Sequence, residues 1–146
     1  MTLTRVVVDS SGWIEVFTDG AQAEHVLALM ADERSLVVPA ITIFEVFKWV
    51  LREHGEAQAI QAAAAMQCGQ VVDLDSRLAL AAAQLSQALQ LPMADSIILA
   101  TARDQQARPA AHHGQRFPRH RRRGVAGFHP LNDRLPERGA SHPLCC

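Results

Sequence analysis

The stretch Arg5-Val6-Val7-Val8-Asp9-Ser10-Ser11-Gly12-Trp13-Ile14-Glu15-Val16-Phe17 decides how the rest of the chain is read. Its opening β-branched run has no polar alternation, which is the pattern of a short strand buried on both faces, as in a parallel sheet. The run ends on an acid, Asp9. Ser10, Ser11 and Gly12 follow, and Trp13–Phe17 reads as a first helix. Further along, Leu36–Pro39 repeats the buried-strand pattern. The segment after it, Thr42–His54, carries Ile43, Val46, Phe47 and Val50 on one helical face. Val71–Leu74 is a third strand candidate. Helices are expected at Ala21–Met30, at Glu56–Gln67, at Asp75–Leu89 with Asp75 as N-cap, and from Pro92 to about Gln106 with Ile97, Ile98 and Ala102 inward. Strands alternating with helices predict an α/β fold, an open parallel sheet flanked by helices.

The chain's 146 residues suit one ordinary domain. No apolar run reaches the ~18–20 residues that span a bilayer, and the N-terminus lacks the apolar core of a signal peptide. The expected location is therefore the cytoplasm, with no membrane partner. A net charge of −1 hides an asymmetry. Residues 1–107 carry 6 basic and 13 acidic side chains, a balance of −7; residues 108–146 carry 8 and 2, a balance of +6. Helical and strand periodicity stop at Ala107, and five of the seven prolines lie beyond it. The chain thus divides into an α/β domain, residues 1–107, and an irregular basic segment rich in Pro, His and Arg, residues 108–146. The second segment is too poor in apolar residues to extend the core.

Three carboxylates stand out by position. Asp9 ends the first strand, Glu45 lies in the first turn of the helix after the second strand, and Asp95 lies in the first turn of the last clear helix. Open α/β sheets bind ligands beyond the carboxyl ends of their strands, so all three can face one crevice. Converging carboxylates repel one another unless a cation neutralises them. Their hard oxygens suit Mg²⁺ or Mn²⁺, and such an ion can assist phosphodiester hydrolysis. No Ser-His-Asp, Cys-His or Gly-rich phosphate motif competes. Each acid also has a purely structural reading. Asp9 can be a helix N-cap. Thr42-Ile43-Phe44-Glu45 has the form of a capping box, with Glu45 at N3, and Asp95 can complement a helix dipole. Ser11 is either a first-turn hydroxyl or a group that orients Asp9. Asp73, Asp75 and Asp104 are read as turn, cap and surface residues.

Taken in order, these segments resemble a known family. Val7-Val8-Asp9-Ser10-Ser11-Gly12-Trp13-Ile14 resembles the opening block of PIN domains. Val38-Pro39-Ala40-Ile41-Thr42-Ile43-Phe44-Glu45-Val46 resembles their second acidic block. Leu91-Pro92-Met93-Ala94-Asp95-Ser96-Ile97-Ile98-Leu99-Ala100-Thr101-Ala102 is similar to the third, and closely resembles VapC toxins. The resemblance spans about residues 5–107. It implies a PIN-like, Rossmann-like parallel sheet and Mg²⁺ or Mn²⁺ in an acidic pocket. It also implies endoribonuclease activity on structured RNA such as tRNA, homodimerisation, and neutralisation by a VapB-type antitoxin. By the same correspondence Asp9, Glu45 and Asp95 are the catalytic, metal-binding carboxylates and Ser11 is a supporting polar residue.

After the third block the family continues with a strand beside the first strand and a motif of the form T-x-D-x-D-F, which carries a fourth acid. Residues Ala107–Pro118 contain no acid. Read one base out of frame with GC-rich codons, Arg108–His120 can encode A-R-L-H-T-T-D-S-D-F-P-G, which restores both features. A reading-frame shift near Arg108 therefore accounts for the break. Phe128-His129-Pro130-Leu131 again resembles the family's closing strand in the present frame. The rival account is a genuine basic tail in which Arg119-His120-Arg121-Arg122-Arg123 attracts RNA phosphates. Losing the family's strand would strip ladder partners from the first strand and weaken folding or activity.

Two functions follow. One is a metal-dependent ribonuclease toxin. The other is a catalytically impaired remnant that only dimerises or binds antitoxin through helices carrying Trp13, Phe17, Phe44, Phe47 and Trp49. Those aromatics are expected in the core rather than at an interface.

Overall fold

A computed structural model describes residues 4–32, 34–110 and 127–129. Among these residues the elements run β1 (Val6–Val7), α1 (Ser10–Phe17), α2 (Ala23–Leu29), β2 (Leu36–Pro39), α3 (Ala40–His54), α4 (Glu56–Met66), β3 (Gln70–Val72), α5 (Ser76–Leu89), α6 (Met93–Asp104) and β4 (Arg108–Pro109). The strands form one sheet in the order β3-β2-β1-β4, every pairing parallel. The α/β open-sheet expectation holds.

The unalternating valine runs have a direct cause. Successive strand residues point to opposite faces, and here both faces are covered. Val8, Leu36 and Val38 enter the core built with Trp13, Val16 and Phe17 of α1, Val26 of α2, Val46 and Val50 of α3, and Ala59, Ala62 and Met66 of α4. Val7 and Val37 point the other way, onto Ile98 and Ala102 of α6. Leu78 and Ala82 of α5 close that second layer against Ile97 and Ala100. The register Val6↔Leu36 and Val7↔Val37 keeps like-facing residues side by side, because a one-residue slip would send every side chain to the wrong layer.

The ends of the elements differ from the sequence expectation where caps decide. Helix α1 begins at Ser10 rather than Trp13, because the Asp9 carboxylate accepts the Gly12 N–H at 2.8 Å. Helix α3 begins at Ala40, with Pro39 as N-cap. Thr42 therefore lies inside the helix and the capping box does not form. The Asp75 cap is present, accepting from Leu78 N–H at 2.7 Å. Gly55, at φ 93°, links α3 directly to α4. That left-handed conformation is one a glycine adopts without steric cost.

Arg108 and Pro109 correct the expectation that β1 loses its neighbour. Arg108 N–H donates to Arg5 O and Ala110 N–H to Val7 O, both at 2.8 Å. A ladder is made by backbone, so it tolerates this sequence. Pro109 lies between the two donors, where its missing N–H costs β1 nothing, as on any edge strand. Residues 111–126, which hold most of the proposed frame-shifted block, lie outside the described residues. Of the suggested closing strand, Phe128 and His129 are described, and they dock on helices instead. The Phe128 ring stacks on Phe17 at 5.5 Å, and His129 N–H donates to Phe17 O at 2.9 Å.

The aromatic expectation holds in part. Trp13 and Phe17 are buried and stacked at 5.8 Å. Phe47 and Trp49 are half-buried against the same core. Phe44 is not in the core, being 60% exposed on the outer face of α3. Among the described residues no helix is long and apolar enough to cross a membrane.

Phe17 is fully buried between two stacked rings. Its replacement by alanine is expected to cost about 3–5 kcal/mol of unfolding free energy, measurable as a lowered urea midpoint with an unchanged slope.

Candidate active site

The parallel sheet sends the carboxyl ends of β1 and β2 to one side, and the chain leaves each strand straight into a helix. Asp9 and Glu45 follow from that geometry, one at the strand–helix junction and one in the second turn of α3. Asp95 comes from the first turn of α6, which packs on β1, β2 and α3. An open cleft of about 250 Å³ lies at Asp9 and Asp95, lined by Val7, Asp9, Leu91, Asp95, Ile98, Leu99, Pro109 and Ala110; Glu45 is not among its lining residues.

The N-terminus of α1 orients two of the three acids. Asp9 Oδ1 accepts from Gly12 N–H and from Ser11 Oγ, each at 2.8 Å. The N-cap reading of Asp9 is therefore true, yet it engages one carboxylate oxygen and leaves Oδ2 outside the cap. Ser11 does orient Asp9. Its neighbour Ser10, buried, donates its hydroxyl to Glu45 Oε2. Two adjacent serines thus fix the carboxylates of two different elements. Sequence reading missed Ser10 because the helix was expected to start three residues later. The only signal was its place directly after Asp9.

Charge coupling shows that the three acids share a field. Burial raises the Glu45 pKa above the ordinary carboxylate value. The Ser10 hydrogen bond opposes that rise, and the negative charges of Asp95 and then Asp9 add to it. The Asp95 pKa is raised as well, by partial desolvation first and by Asp9 second. Asp104, outside the site, is lowered by its ion pair with Arg77 at 2.6 Å, in keeping with the surface role read from sequence.

A divalent cation fits this donor set by chemistry. All three donors are oxygens and their mutual repulsion is what a cation relieves. The grouping is loose: among the described residues no three His, Cys, Asp or Glu side chains form a ready ligand cluster. Loose spacing suits Mg²⁺, which keeps several of its waters and takes only one or two carboxylates directly. The wall of the cleft made by Pro109 and Ala110 offers no acid. Beside two carboxylates the cleft is otherwise apolar.

Comparison with known proteins matches residues 6–122 to the PIN domain family model. No curated protein matches the chain. Among solved structures, a toxin–antitoxin complex from Klebsiella pneumoniae aligns with a TM-score of 0.60 at 24% identity, over 71% of this chain and 82% of the other. VapC20 of Mycobacterium tuberculosis, a toxin that cleaves the sarcin–ricin loop, aligns with a TM-score of 0.60 at 19% identity, over 75% of this chain and 90% of its own.

The raised acids make a stability prediction with a definite sign. A carboxyl whose folded pKa exceeds its unfolded value binds protons more tightly when folded, so it stabilises the fold below that pKa and this contribution is lost as pH rises through it. Metal-free protein should therefore lose stability as pH climbs from the ordinary carboxylate value through the raised Glu45 pKa. Glu45→Gln should raise the neutral-pH melting temperature in EDTA, whereas Asp9→Ala should lower the unfolding free energy by about 1 kcal/mol through the lost cap. Thermal melts across pH test both signs.

Proposed function

The chain belongs to the PIN domain family, and on that premise we propose that it is a metal-dependent endoribonuclease, the toxin of a VapC-type toxin–antitoxin pair. The observation that carries the reading is the set of coupled carboxylates Asp9, Glu45 and Asp95 at the carboxyl end of a parallel sheet. The solved toxins that share the fold support it by likeness.

Asp9 and Glu45 offer the oxygens left outside their serine contacts, and Asp95 adds a third donor across the cleft. Together they would hold Mg²⁺ or Mn²⁺, which would supply an activated water for attack on a phosphodiester and offset the charge that builds on the phosphate. Ser11 and Gly12 keep the Asp9 carboxylate from rotating. Ser10 does the same for Glu45, so neither acid has to reorganise when substrate arrives. Leu91, Ile98 and Leu99 keep that side of the cleft apolar and strengthen electrostatic interactions at its mouth. The proposed partners are structured RNA such as tRNA as substrate, a VapB-type antitoxin, and a second copy of the chain, acting in the cytoplasm.

One observation favours the second reading. Residues Ala107–Pro118, in which the family resemblance leads one to expect a fourth acid, contain none. An impaired remnant would fold and bind antitoxin without cutting RNA.

Cleavage of RNA by the purified chain separates these readings. The expected result is cleavage in Mg²⁺ or Mn²⁺ that EDTA abolishes. Asp9→Asn and Asp95→Asn should each reduce it by about 10²-fold or more, the loss of several kcal/mol of charge stabilisation. A folded wild type that binds antitoxin but cuts nothing would establish the remnant instead.

A further inference from the structure

Phe44 is the exposed aromatic that the core leaves unexplained. It lies on α3 directly before Glu45, and 60% of its surface meets solvent. Lys48 lies one helical turn further on, and its ammonium stands over the ring, 5.7 Å from the centroid. It is the chain's single lysine, in a region whose charge is otherwise strongly negative. Positions 44 and 48 share a helix face, and Glu45 and Lys48 are themselves one turn apart. Phe44 thus adjoins Glu45 in the chain, and Lys48 lies one turn beyond Glu45 on the same helix.

An aromatic face beside a cation suits one partner well. Nucleobases stack on exposed rings irrespective of sequence, and a neighbouring lysine takes the adjoining phosphate. A protein interface is a poorer match. Among large apolar residues, α3 exposes only Phe44 and Leu51, and stable interfaces bury about 800 Å² on each partner. We propose that Phe44 and Lys48 form a nucleotide subsite beside the carboxylates, in which an unpaired RNA base stacks on the Phe44 ring and the adjoining phosphate pairs with Lys48. The subsite gives a strand a cationic foothold at Lys48 beside a site that is acidic inside. It rests on the ribonuclease reading and selects single-stranded or looped RNA over a continuous duplex, whose bases are stacked on one another.

The test compares wild type with Phe44→Leu, Phe44→Trp, Lys48→Gln and Leu51→Ala. Binding of a labelled single-stranded oligoribonucleotide is read by fluorescence anisotropy in EDTA and again in Mg²⁺, and cleavage by steady-state kinetics in Mg²⁺. Light scattering records the size of each protein. Phe44→Leu should weaken binding by about 5- to 100-fold and raise KM with little change in kcat, the mark of lost uniform binding. Phe44→Trp should restore affinity. Lys48→Gln should lower the salt slope of binding by about one. Leu51→Ala, on the same face without a ring, should leave RNA binding unchanged. Equal affinity and KM for Phe44→Leu and wild type would overturn the subsite alone. So would a change in protein size on losing the ring without a change in RNA affinity, which would mark a protein contact. If wild type binds RNA without cutting it, the binding comparison decides the subsite by itself. A wild type that neither binds nor cuts RNA would sink the ribonuclease reading and the subsite together.

Discussion

The parallel pairing of β1 with β2, covered on both faces, is the constraint on which the rest depends. Val6 opposite Leu36 and Val7 opposite Val37 align two strands whose side chains alternate between two apolar layers. Parallel pairing gives the strands one direction, so both release their chains at the same end of the sheet. Each chain then turns at once into a helix. Asp9 and Glu45 meet at that end although 36 positions separate them in sequence. The hydrophobic layers are thus what gathers charges that would otherwise move apart.

That gathering has an electrostatic cost, and the costs are visible in the acids themselves. Burial and mutual repulsion raise Glu45 and Asp95. The protein offsets part of this locally, through Ser10 on Glu45 and through the Ser11 and Gly12 contacts on Asp9. The remainder is relieved by protonation or by a cation. Acids held together against their repulsion trade stability for a fixed arrangement of oxygens, a common pattern at functional sites.

The C-terminal region shows how little a ladder asks of sequence. Arg108 and Pro109 resemble no buried strand, yet backbone donors at 108 and 110 meet β1 and the proline takes the one position that needs no N–H toward it. What the side chains do matters more at the site, where Pro109 and Ala110 make an apolar wall. Phe128 is tied into the molecule by a ring stack rather than by strand pairing.

Much of this was legible in the chain's own pattern. The valine runs announced a doubly covered parallel sheet, because polar alternation is absent only when neither face meets water. The period of α3 and α6, the Asp75 cap, and the positions of Asp9 after β1 and Asp95 in the first turn of α6 followed from spacing and local hydrogen-bonding chemistry, whereas Glu45 lies one turn later in α3 than read, because the helix begins at Ala40. Tertiary structure alone decided the rest, since it depends on which groups meet across the fold. Ser10 gained its role from Glu45, a residue on another helix. Thr42 lost its capping-box role when α3 began at Ala40, after the strand had fixed Pro39. Phe44, apolar like Ile43 and Val46, was left outside because the inward face of α3 was already filled by Thr42, Val46 and Val50. Sequence fixes the chemistry each residue carries; packing decides which of those chemistries are brought face to face.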